Sequence, residues 1–467
     1  MQYLSTRGQA PVLGFADALL AGLARDGGLY APVVLPEWRP GAIRALRGLD
    51  YADAAVQVIE PFIAGEFGAT ELASMTADAY SGFRHAATAP LVQIDVNLFA
   101  LELFHGPTLA FKDFAMQWLG RAMNRILSSR GIRATILGAT SGDTGAAAIE
   151  AFGGQSQASV YILYPQGRVS AVQRRQMTTV GRPNVHALAI EGTFDDCQRI
   201  VKELFGDLVF RDEMRLSGVN SINWARILAQ IVYYFVGAVA LGAPERQVSF
   251  AVPTGNFGDI LAGYYAKRMG LPVERLIIAT NVNDILARAL SSGRYEPRGV
   301  KATQSPSMDI QVSSNFERLL FECSRQDPEV IRTLMADFSR DGSFAIPSPI
   351  LQRIRADFSA ERIDEAGCVT EMARAYRESG IVIDPHSAIG VGAARRALVA
   401  SPATPVIALG TAHPAKFPEA VERATGVRPA LPAHLQDLMD REETTVVLPN
   451  NRNAVADFLR QTARALA

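Results

Sequence analysis

A chain of 467 residues, of which 48% are hydrophobic and 20% charged, has the composition of a globular protein with two or three domains. Its 46 basic and 47 acidic residues leave a formal net charge of -1, which gives no general attraction to nucleic acid or to an anionic membrane. The cysteines Cys197, Cys323 and Cys368 are widely separated and the six histidines show no ligand spacing, so the sequence predicts neither a disulfide framework nor a catalytic metal.

Residues 1 to about 90 are predicted to form a mainly helical N-terminal domain, because they contain no strand followed by a glycine loop. The first residues, MQYLSTRGQAPVLGF, lack the continuous apolar core of a signal peptide. No apolar stretch of roughly 18 residues, the length of a membrane-spanning helix, occurs in the chain. We therefore expect a cytoplasmic protein with no membrane partner.

From about residue 91, short apolar runs, glycine-rich loops and helices alternate, which predicts an α/β fold of parallel sheets with crossover helices. We expect residues 91–128 and 230–467 to form a large α/β domain and residues 129–229 to form a small one. In such sheets, ligands bind beyond the carboxyl ends of the strands. The loops that follow the strands should therefore carry the chemistry.

The stretch HGPTLAFKDFAMQ places Lys112 in the first turn of an amphipathic helix, since apolar residues from Phe111 to Leu127 recur at steps of three and four. The helix dipole and the apolar neighbours both favour the neutral amine, which is the nucleophile and base that Schiff-base chemistry requires. The alternative is a lysine whose stem covers the core and whose head reaches water. The tight turn at residues 106–108 favours the functional interpretation, because it fixes the direction of the amine.

The stretch ATILGATSGDTGAAAIEAF predicts a strand at about 134–137, a loop of small polar residues and a helix from about Thr144. The hydroxyls and N–H groups of this loop could hold a carboxylate or a phosphate. The same residues would also serve as an ordinary helix cap. The residues concerned are Thr140, Ser141, Asp143 and Thr144.

A second glycine-rich loop lies between a predicted strand that ends at Val252 and a predicted helix that stops at Gly270. Backbone N–H groups at such a helix start can hold a phosphate, although an ordinary turn would use the same residue types. The loop does not match the nucleotide-binding P-loop pattern. It consists of Gly255, Asn256, Phe257, Gly258 and Asp259.

Three further stretches follow. SPSMDIQVSSNFERLLFE brings Ser314, Asn315 and Arg318 close to a helix start, where they suit a phosphate dianion or form a capped surface helix. GIVIDPHSAIGVGAARRAL and PVIALGTAHPAKFPEAVERA are both predicted to repeat the order of strand, loop and helix.

Taken together, the motifs HGPTLAFKDFAMQ, GATSGDTGAAA, PTGNFGD, DPHSAIGVGAA and GTAHPAKFPEAV resemble those of the threonine synthase family, in its longer type with an extra N-terminal domain. YLSTRG and DGGLYAP match that type near the N-terminus, so the resemblance extends from the first residues to about residue 420. It implies the tryptophan-synthase-like fold of enzymes that use pyridoxal 5'-phosphate (PLP), known as fold type II. It also implies conversion of O-phospho-L-homoserine and water to L-threonine and phosphate, by γ-elimination and β-addition.

The resemblance implies roles for individual residues. Lys112 would form the covalent link to the cofactor and move protons, and Thr411 would hydrogen-bond the pyridine nitrogen. The cofactor phosphate would be held by Gly255, Asn256, Phe257, Gly258 and Asp259. The substrate carboxylate and the ring hydroxyl of the cofactor would meet Thr140, Ser141, Asp143 and Thr144, and the leaving phosphate would meet Ser314, Asn315 and Arg318.

Two alternatives stay open at this point. A PLP-dependent lyase of the same fold, a phospholyase or dehydratase, would eliminate phosphate or water from an amino acid and release an oxoacid. A non-catalytic paralogue would bind PLP or a phosphorylated metabolite, although the presence of Lys112 argues against it. We expect a small-molecule substrate, no nucleic-acid partner, and a monomer or homodimer.

Overall fold

The computed structural model describes residues 1–465. The strands, in chain order, are β1 (Tyr3–Ser5), β2 (Tyr30–Pro32), β3 (Leu91–Asp95), β4 (Leu98–Glu102), β5 (Ala134–Ala139), β6 (Ala158–Pro165), β7 (Val185–Glu191), β8 (Leu216–Ser217), β9 (Val248–Pro253), β10 (Val273–Thr280), β11 (Arg294–Tyr295), β12 (Phe344–Ala345), β13 (Phe358–Arg362), β14 (Val406–Gly410) and β15 (Val446–Pro449).

The α-helices are α1 (Phe15–Ala21), α2 (Pro40–Arg44), α3 (Tyr51–Ile63), α4 (Ala69–Tyr80), α5 (Lys112–Arg130), α6 (Asp143–Phe152), α7 (Ala171–Thr178), α8 (Phe194–Gly206), α9 (Leu208–Glu213), α10 (Trp224–Ala240), α11 (Gly258–Arg268), α12 (Ile285–Ser292), α13 (Phe316–Cys323), α14 (Pro328–Asp341), α15 (Ser348–Asp357), α16 (Glu365–Ser379), α17 (Pro385–Ala400), α18 (Pro418–Thr425) and α19 (Arg452–Ala465).

Two sheets dominate residues 1–465. The larger has the order β13-β10-β9-β14-β4-β3 and is parallel except for β3, which runs antiparallel to β4. The smaller has the order β15-β7-β6-β5-β8 and is parallel throughout. Helices connect the parallel strands, as the crossover between parallel neighbours requires. The expected α/β architecture is confirmed.

Helix α5 begins at Lys112 itself and ends before Gly131, which adopts a left-handed conformation with φ of +62°. Phe114 and Trp118 are fully buried on its inner face, as the spacing of apolar residues predicts. The helix contacts α4, α6 and α10. It therefore joins the N-terminal region to the elements of both sheets.

The N-terminal region consists of helices α1 to α4 together with the antiparallel pair β1 and β2. The expectation of a mainly helical unit holds, although the paired strands were not foreseen because they lie far apart in the sequence. Tyr51, Tyr80 and Phe83 surround the ring of Phe114, with ring centroids 5.1, 6.1 and 4.6 Å from it. These aromatic contacts fix the start of α5.

Two expectations about the C-terminal part are wrong. Residues 381–384 form no strand, because they lie in the short connection between the end of α16 at Ser379 and the start of α17 at Pro385. The segment 446–449, expected in the large domain, pairs as β15 with β7 of the smaller sheet. A parallel partner for β7 satisfies backbone groups that would otherwise form a free sheet edge. No helix within residues 1–465 is long and apolar enough to cross a membrane.

Candidate active site

The amine of Lys112, at the start of α5, lies in a polar but almost closed environment. The side chain is 10% exposed, and its Nζ lies 3.4 Å from Asp143 Oδ2 and 3.4 Å from Ser307 Oγ. Burial lowers the pKa of Lys112, and the neighbouring Asp143 carboxylate partly opposes this effect. Both contacts are longer than an optimal charged hydrogen bond. The amine is therefore held loosely and can lose its proton more easily than an exposed lysine.

Asp143 is the centre of the polar cluster. Its Oδ1 lies 2.8 Å from Lys416 Nζ and accepts a 2.9 Å hydrogen bond from Gln173 Nε2, while its Oδ2 faces Lys112. Burial raises the pKa of Asp143, but Lys416 and Lys112 lower it more strongly, so the pKa lies well below its usual range. An ionised carboxylate repels a substrate carboxylate. Of the two contacts that the resemblance implies for this loop, the place of Asp143 beside Lys112 therefore suits the one to the cofactor and not the one to the substrate carboxylate.

The hydroxyl-rich loop combines a structural threonine with two available hydroxyls. Thr140 Oγ1 accepts hydrogen bonds of 2.9 Å from the N–H groups of both Gly142 and Gly145, which fixes the shape of the loop. The hydroxyls of Ser141 and Thr144 make no hydrogen bond to another described residue. These two side chains, at the start of α6, can donate to an anionic ligand.

The glycine-rich loop presents a series of free backbone donors. The N–H groups of residues 255–259 donate to no acceptor among the described residues, and the helix that follows begins at Gly258. Phe257 has a φ of +64° and buries its ring against Phe316, so it contributes its backbone and not its side chain. Free N–H groups at a helix start are a binding site for phosphate. The prediction that this loop can hold a phosphate fits the geometry.

The cluster at the start of α13 braces this loop. Ser313 Oγ donates to Gly255 O at 2.7 Å, and Asn315 Nδ2 donates to Asn256 O at 3.1 Å and to Ser221 O at 2.9 Å. Ser314 Oγ reaches Asn256 Oδ1 only at 3.4 Å. Asn315 is completely buried. These side chains hold the loop in place, and Ser314 alone keeps a hydroxyl available to a ligand.

Arg318 is not placed to bind a leaving phosphate, contrary to expectation. It is fully buried, and its guanidinium donates to Tyr30 O at 2.9 Å, to Ile222 O at 2.6 Å and to the side chain of Asn315. The donors of this guanidinium are therefore already used by backbone carbonyls that are far apart in the sequence. Arg318 links the N-terminal region to the loop before α10.

Thr411 follows β14 directly and lies next to the start of α5. Its carbonyl accepts a 2.9 Å hydrogen bond from Phe111 N, and its own N–H donates to Ser387 Oγ at 3.1 Å. Its side chain is buried, and its hydroxyl makes no hydrogen bond to another described residue. The neutral hydroxyl of Thr411 is therefore available to a ligand. The backbone of the same residue is hydrogen-bonded to Phe111, which directly precedes Lys112.

Two cations of the site were missed by the sequence analysis. Arg226, in the first turn of α10, is 3% exposed, and its charge lowers the pKa of Lys112. The one described hydrogen bond of its guanidinium is a long one of 3.3 Å to Val219 O, and its Nε has no partner among the described residues. Lys416 lies within the motif GTAHPAKFPEAV, so the matched motif was the signal that could have identified it.

Family comparisons agree with this geometry. The model for pyridoxal-phosphate dependent enzymes matches residues 85–409, and models for the threonine synthase N terminus and C-terminal region match residues 2–80 and 387–459. A threonine synthase of Pseudomonas aeruginosa is 52% identical over 99% of this chain and 98% of its own length. The chain belongs to the threonine synthase family.

Solved structures of this family have the same fold. The PLP-bound threonine synthase from Brucella melitensis is 59% identical, with a TM-score of 0.96 over 99% of this chain and 100% of that chain. The yeast threonine synthase is 39% identical, with a TM-score of 0.93 over 99% of both chains. The expected fold type II architecture and the expected cofactor, pyridoxal phosphate, are confirmed. The buried amine and the free N–H groups of the 255–259 loop fit this cofactor at its aldehyde and phosphate ends.

The first prediction concerns Gly255. A Cβ atom at this position would lie 2.7 Å from the carbonyl oxygen of Ser307, so Gly255→Ala must shift the loop or the neighbouring turn. Such overpacking costs about 1–3 kcal/mol, and we expect the affinity for pyridoxal phosphate to fall about tenfold or more. Equilibrium titration by cofactor absorbance measures this. Gly299→Ala, where a Cβ meets nothing within 4 Å, is the control, and equal affinities of the two variants would contradict the prediction.

The second prediction concerns Asp259, whose carboxylate lies on the inner side of the glycine loop. Its Oδ1 accepts hydrogen bonds from Tyr233 OH at 2.6 Å and Tyr234 OH at 2.9 Å, and its Oδ2 has no partner. Burial raises the pKa of Asp259 to about 6. At pH values between the ordinary pKa of an aspartate and about 6, the folded state keeps a proton that the unfolded state releases. The folded state therefore loses stability as the pH rises through this window.

Asp259→Asn removes this titration. We expect its free energy of unfolding, relative to that of the wild type, to increase from pH 5 to pH 7.5 by about 1.4 kcal/mol. Thermal unfolding of the cofactor-loaded proteins at both values measures the difference. The exposed Glu60→Gln serves as the control, and a difference for Asp259→Asn that stays constant with pH would show that the carboxyl does not titrate there.

Proposed function

We propose that this enzyme converts O-phospho-L-homoserine and water to L-threonine and phosphate. The observation that carries the proposal is the buried amine of Lys112, which lies 3.4 Å from an ionised carboxylate and whose pKa is lowered by the charge of Arg226, a largely unpaired guanidinium. An amine that exchanges protons and a cation that can hold a departing phosphate are the two groups that this reaction requires. The family relationship supports the same reaction.

The cofactor would be held by groups from four segments. Lys112 would bind it covalently, and the N–H groups of residues 255–259 would bind its phosphate. The Thr411 hydroxyl would face the pyridine nitrogen, and Asp143 would face the ring hydroxyl near Lys112. When bound, pyridoxal phosphate stabilises the negative charge that remains after a proton leaves the α-carbon of the substrate. The neutral partner at the pyridine nitrogen limits how strongly that nitrogen is protonated.

Lys112 would move the protons of the reaction. Once the substrate amine has displaced it from the cofactor, its Nζ is a free amine whose lowered pKa suits a base. We propose that it removes the α-proton and returns a proton later. The hydroxyls of Ser141 and Thr144, at the start of α6, would bind the substrate carboxylate, because they have no partner among the described residues.

Arg226 would bind the phosphate group of the substrate. It is buried near Lys112 in the first turn of α10, where the N-terminal end of the helix adds positive potential. Its guanidinium is largely unpaired, whereas that of Arg318 is occupied by two backbone carbonyls and Asn315. A phosphate would satisfy these donors at the point where it must leave.

The test of the proposed function is a product assay. The cofactor-loaded enzyme is incubated with O-phospho-L-homoserine, and inorganic phosphate, threonine and 2-oxobutyrate are measured together. We expect equal amounts of phosphate and threonine, with turnover abolished in Lys112→Ala while the circular dichroism spectrum is unchanged. Phosphate with 2-oxobutyrate would instead identify a lyase, and absence of phosphate would favour a binding protein. Substantial activity in Lys112→Ala would refute the role of this residue.

A separate prediction tests Arg226. Loss of a charge-assisted contact to phosphate costs about 1.5–3 kcal/mol, so Arg226→Gln should raise KM for O-phospho-L-homoserine about 10- to 100-fold. Product inhibition by inorganic phosphate should weaken in parallel. Arg211→Gln removes another buried arginine, which donates to Leu23 O at 3.1 Å, and should leave both constants unchanged. If Arg226→Gln alters neither constant, another group binds the phosphate.

The cytoplasmic location and the monomeric or homodimeric state stay predictions from the sequence. We also propose three structural units: the N-terminal region, the unit of the larger sheet and the unit of the smaller sheet. Residues 446–465 are assigned to the unit of the smaller sheet.

A further inference from the structure

Lys416 is a fully buried lysine to which the reaction described above assigns no role. It lies in the short 3-10 turn Pro414–Lys416 that follows β14, and its side chain has no exposed surface. Its Nζ lies 2.8 Å from Asp143 Oδ1 and donates to Thr108 O at 2.8 Å. These contacts join three segments: the end of a strand of the larger sheet, the start of α6 and the loop before α5.

The two oxygens of Asp143 have different partners. Oδ1 is held tightly by Lys416 and by Gln173 Nε2, whereas Oδ2 makes only the 3.4 Å contacts to Lys112 Nζ and Ser307 Oγ. Lys416 thus fixes the plane of the carboxylate and leaves the oxygen that faces Lys112 free to adjust. The strong cation partner of the Asp143 carboxylate is therefore Lys416 and not Lys112.

We propose that Lys416 is a positioning residue for Lys112: it compensates the charge of Asp143 and anchors Oδ1, so that Oδ2 orients the Lys112 nitrogen without holding a proton on it. This inference rests on the proposed function of Lys112 as the cofactor-linked base. Lys416 acts through Asp143 and touches neither cofactor nor substrate.

The physical reason is the charge balance of a closed site. A carboxylate and a single ammonium group buried together stabilise each other as ions, because separating them leaves an uncompensated charge in a medium of low dielectric constant. If Lys416 were absent, that ammonium group would be Lys112, which would then keep its proton. With Lys416 present, Asp143 is already compensated and Lys112 can become neutral.

The charged groups with the largest effects on this cluster act as this charge balance requires. Burial lowers the pKa of Lys112, Asp143 raises it, and Arg226 and Lys416 lower it further. On Asp143 the acting groups are Lys416, Lys112 and His386, whose ring is itself hydrogen-bonded to Asp384 at 2.6 Å. Asp113 also feels the charge of Lys416, but its carboxylate is bound by the hydroxyl and N–H of Thr108. Asp143 is therefore the carboxylate through which Lys416 can act on Lys112.

The experiment uses the full chain loaded with pyridoxal phosphate. The visible absorbance band of the bound cofactor, which responds to protonation of its link to Lys112, is recorded against pH. For Lys416→Met, we expect the midpoint of this titration to rise by at least one pH unit, because Asp143 then stabilises a proton on the Lys112 nitrogen. For the double variant Asp143→Asn/Lys416→Met, we expect a return to within half a pH unit of the wild type.

Lys267 offers a matched control. It too joins a carboxylate to a backbone carbonyl, with Nζ 2.7 Å from Asp357 Oδ1 and 3.2 Å from Glu274 O, but it lies at the far end of α11 from the glycine loop. Lys267→Met should leave the midpoint unchanged. An unchanged midpoint in a folded Lys416→Met variant, or a double variant shifted as far as the single one, would overturn the proposal and leave Lys416 a purely structural residue.

Should Lys416→Met fail to fold, Asp143→Asn tests the same charge balance in the opposite direction. It removes the acceptor and leaves the Lys416 charge, so the midpoint should fall by at least one pH unit, and a midpoint that stays or rises would reject the proposal. The titration needs no substrate. The product assay of the wild type therefore decides the proposed function independently of this result.

Discussion

The amine of Lys112 is buried, and a buried cation is unfavourable unless the protein supplies compensating groups. This constraint organises the site. The amine is placed by the first turn of α5, whose Phe114 is surrounded by aromatic residues of the N-terminal region, and it is faced by Asp143, which Lys416 and Gln173 hold from the other side. Each of these groups comes from a different element, so the reactivity of one nitrogen depends on how the elements pack.

The glycine-rich loop 255–259 shows the opposite arrangement, since its backbone N–H donors are left unpaired among the described residues. Gly255 allows the backbone to pass within contact distance of Ser307, and the left-handed conformation of Phe257 turns the next N–H groups in the same direction. Loops with unsatisfied donors are unstable by themselves. Ser313 and Asn315 compensate by binding the carbonyl groups of the loop, and Arg318 supports Asn315 in turn. Asn315 and Arg318, which the sequence suggests as ligands, thus support the glycine-rich loop.

The N-terminal region takes part in the same frame. The carbonyl of Tyr30 binds Arg318, and the aromatic side chains of α3 and α4 surround Phe114 two residues after Lys112. Displacement of this region would therefore disturb both the start of α5 and the support of the glycine loop. Such dependence gives a physical reason for the extra N-terminal domain that distinguishes the longer type of the family.

The sequence by itself determined what depends on neighbouring residues. The apolar spacing after Phe111 placed Lys112 at a helix start, and the order of strand, glycine loop and helix placed donors at 255–259, because helix periodicity and turn preferences act over a few residues. Only the tertiary structure decided which charged groups meet. Arg226 and Arg318 look alike in the sequence, but the carbonyls of Tyr30 and Ile222 occupy only Arg318. Likewise, Lys416 and Asp143 form an ion pair although they are 273 positions apart in the sequence. This pairing depends on the packing of the two sheets and not on local sequence.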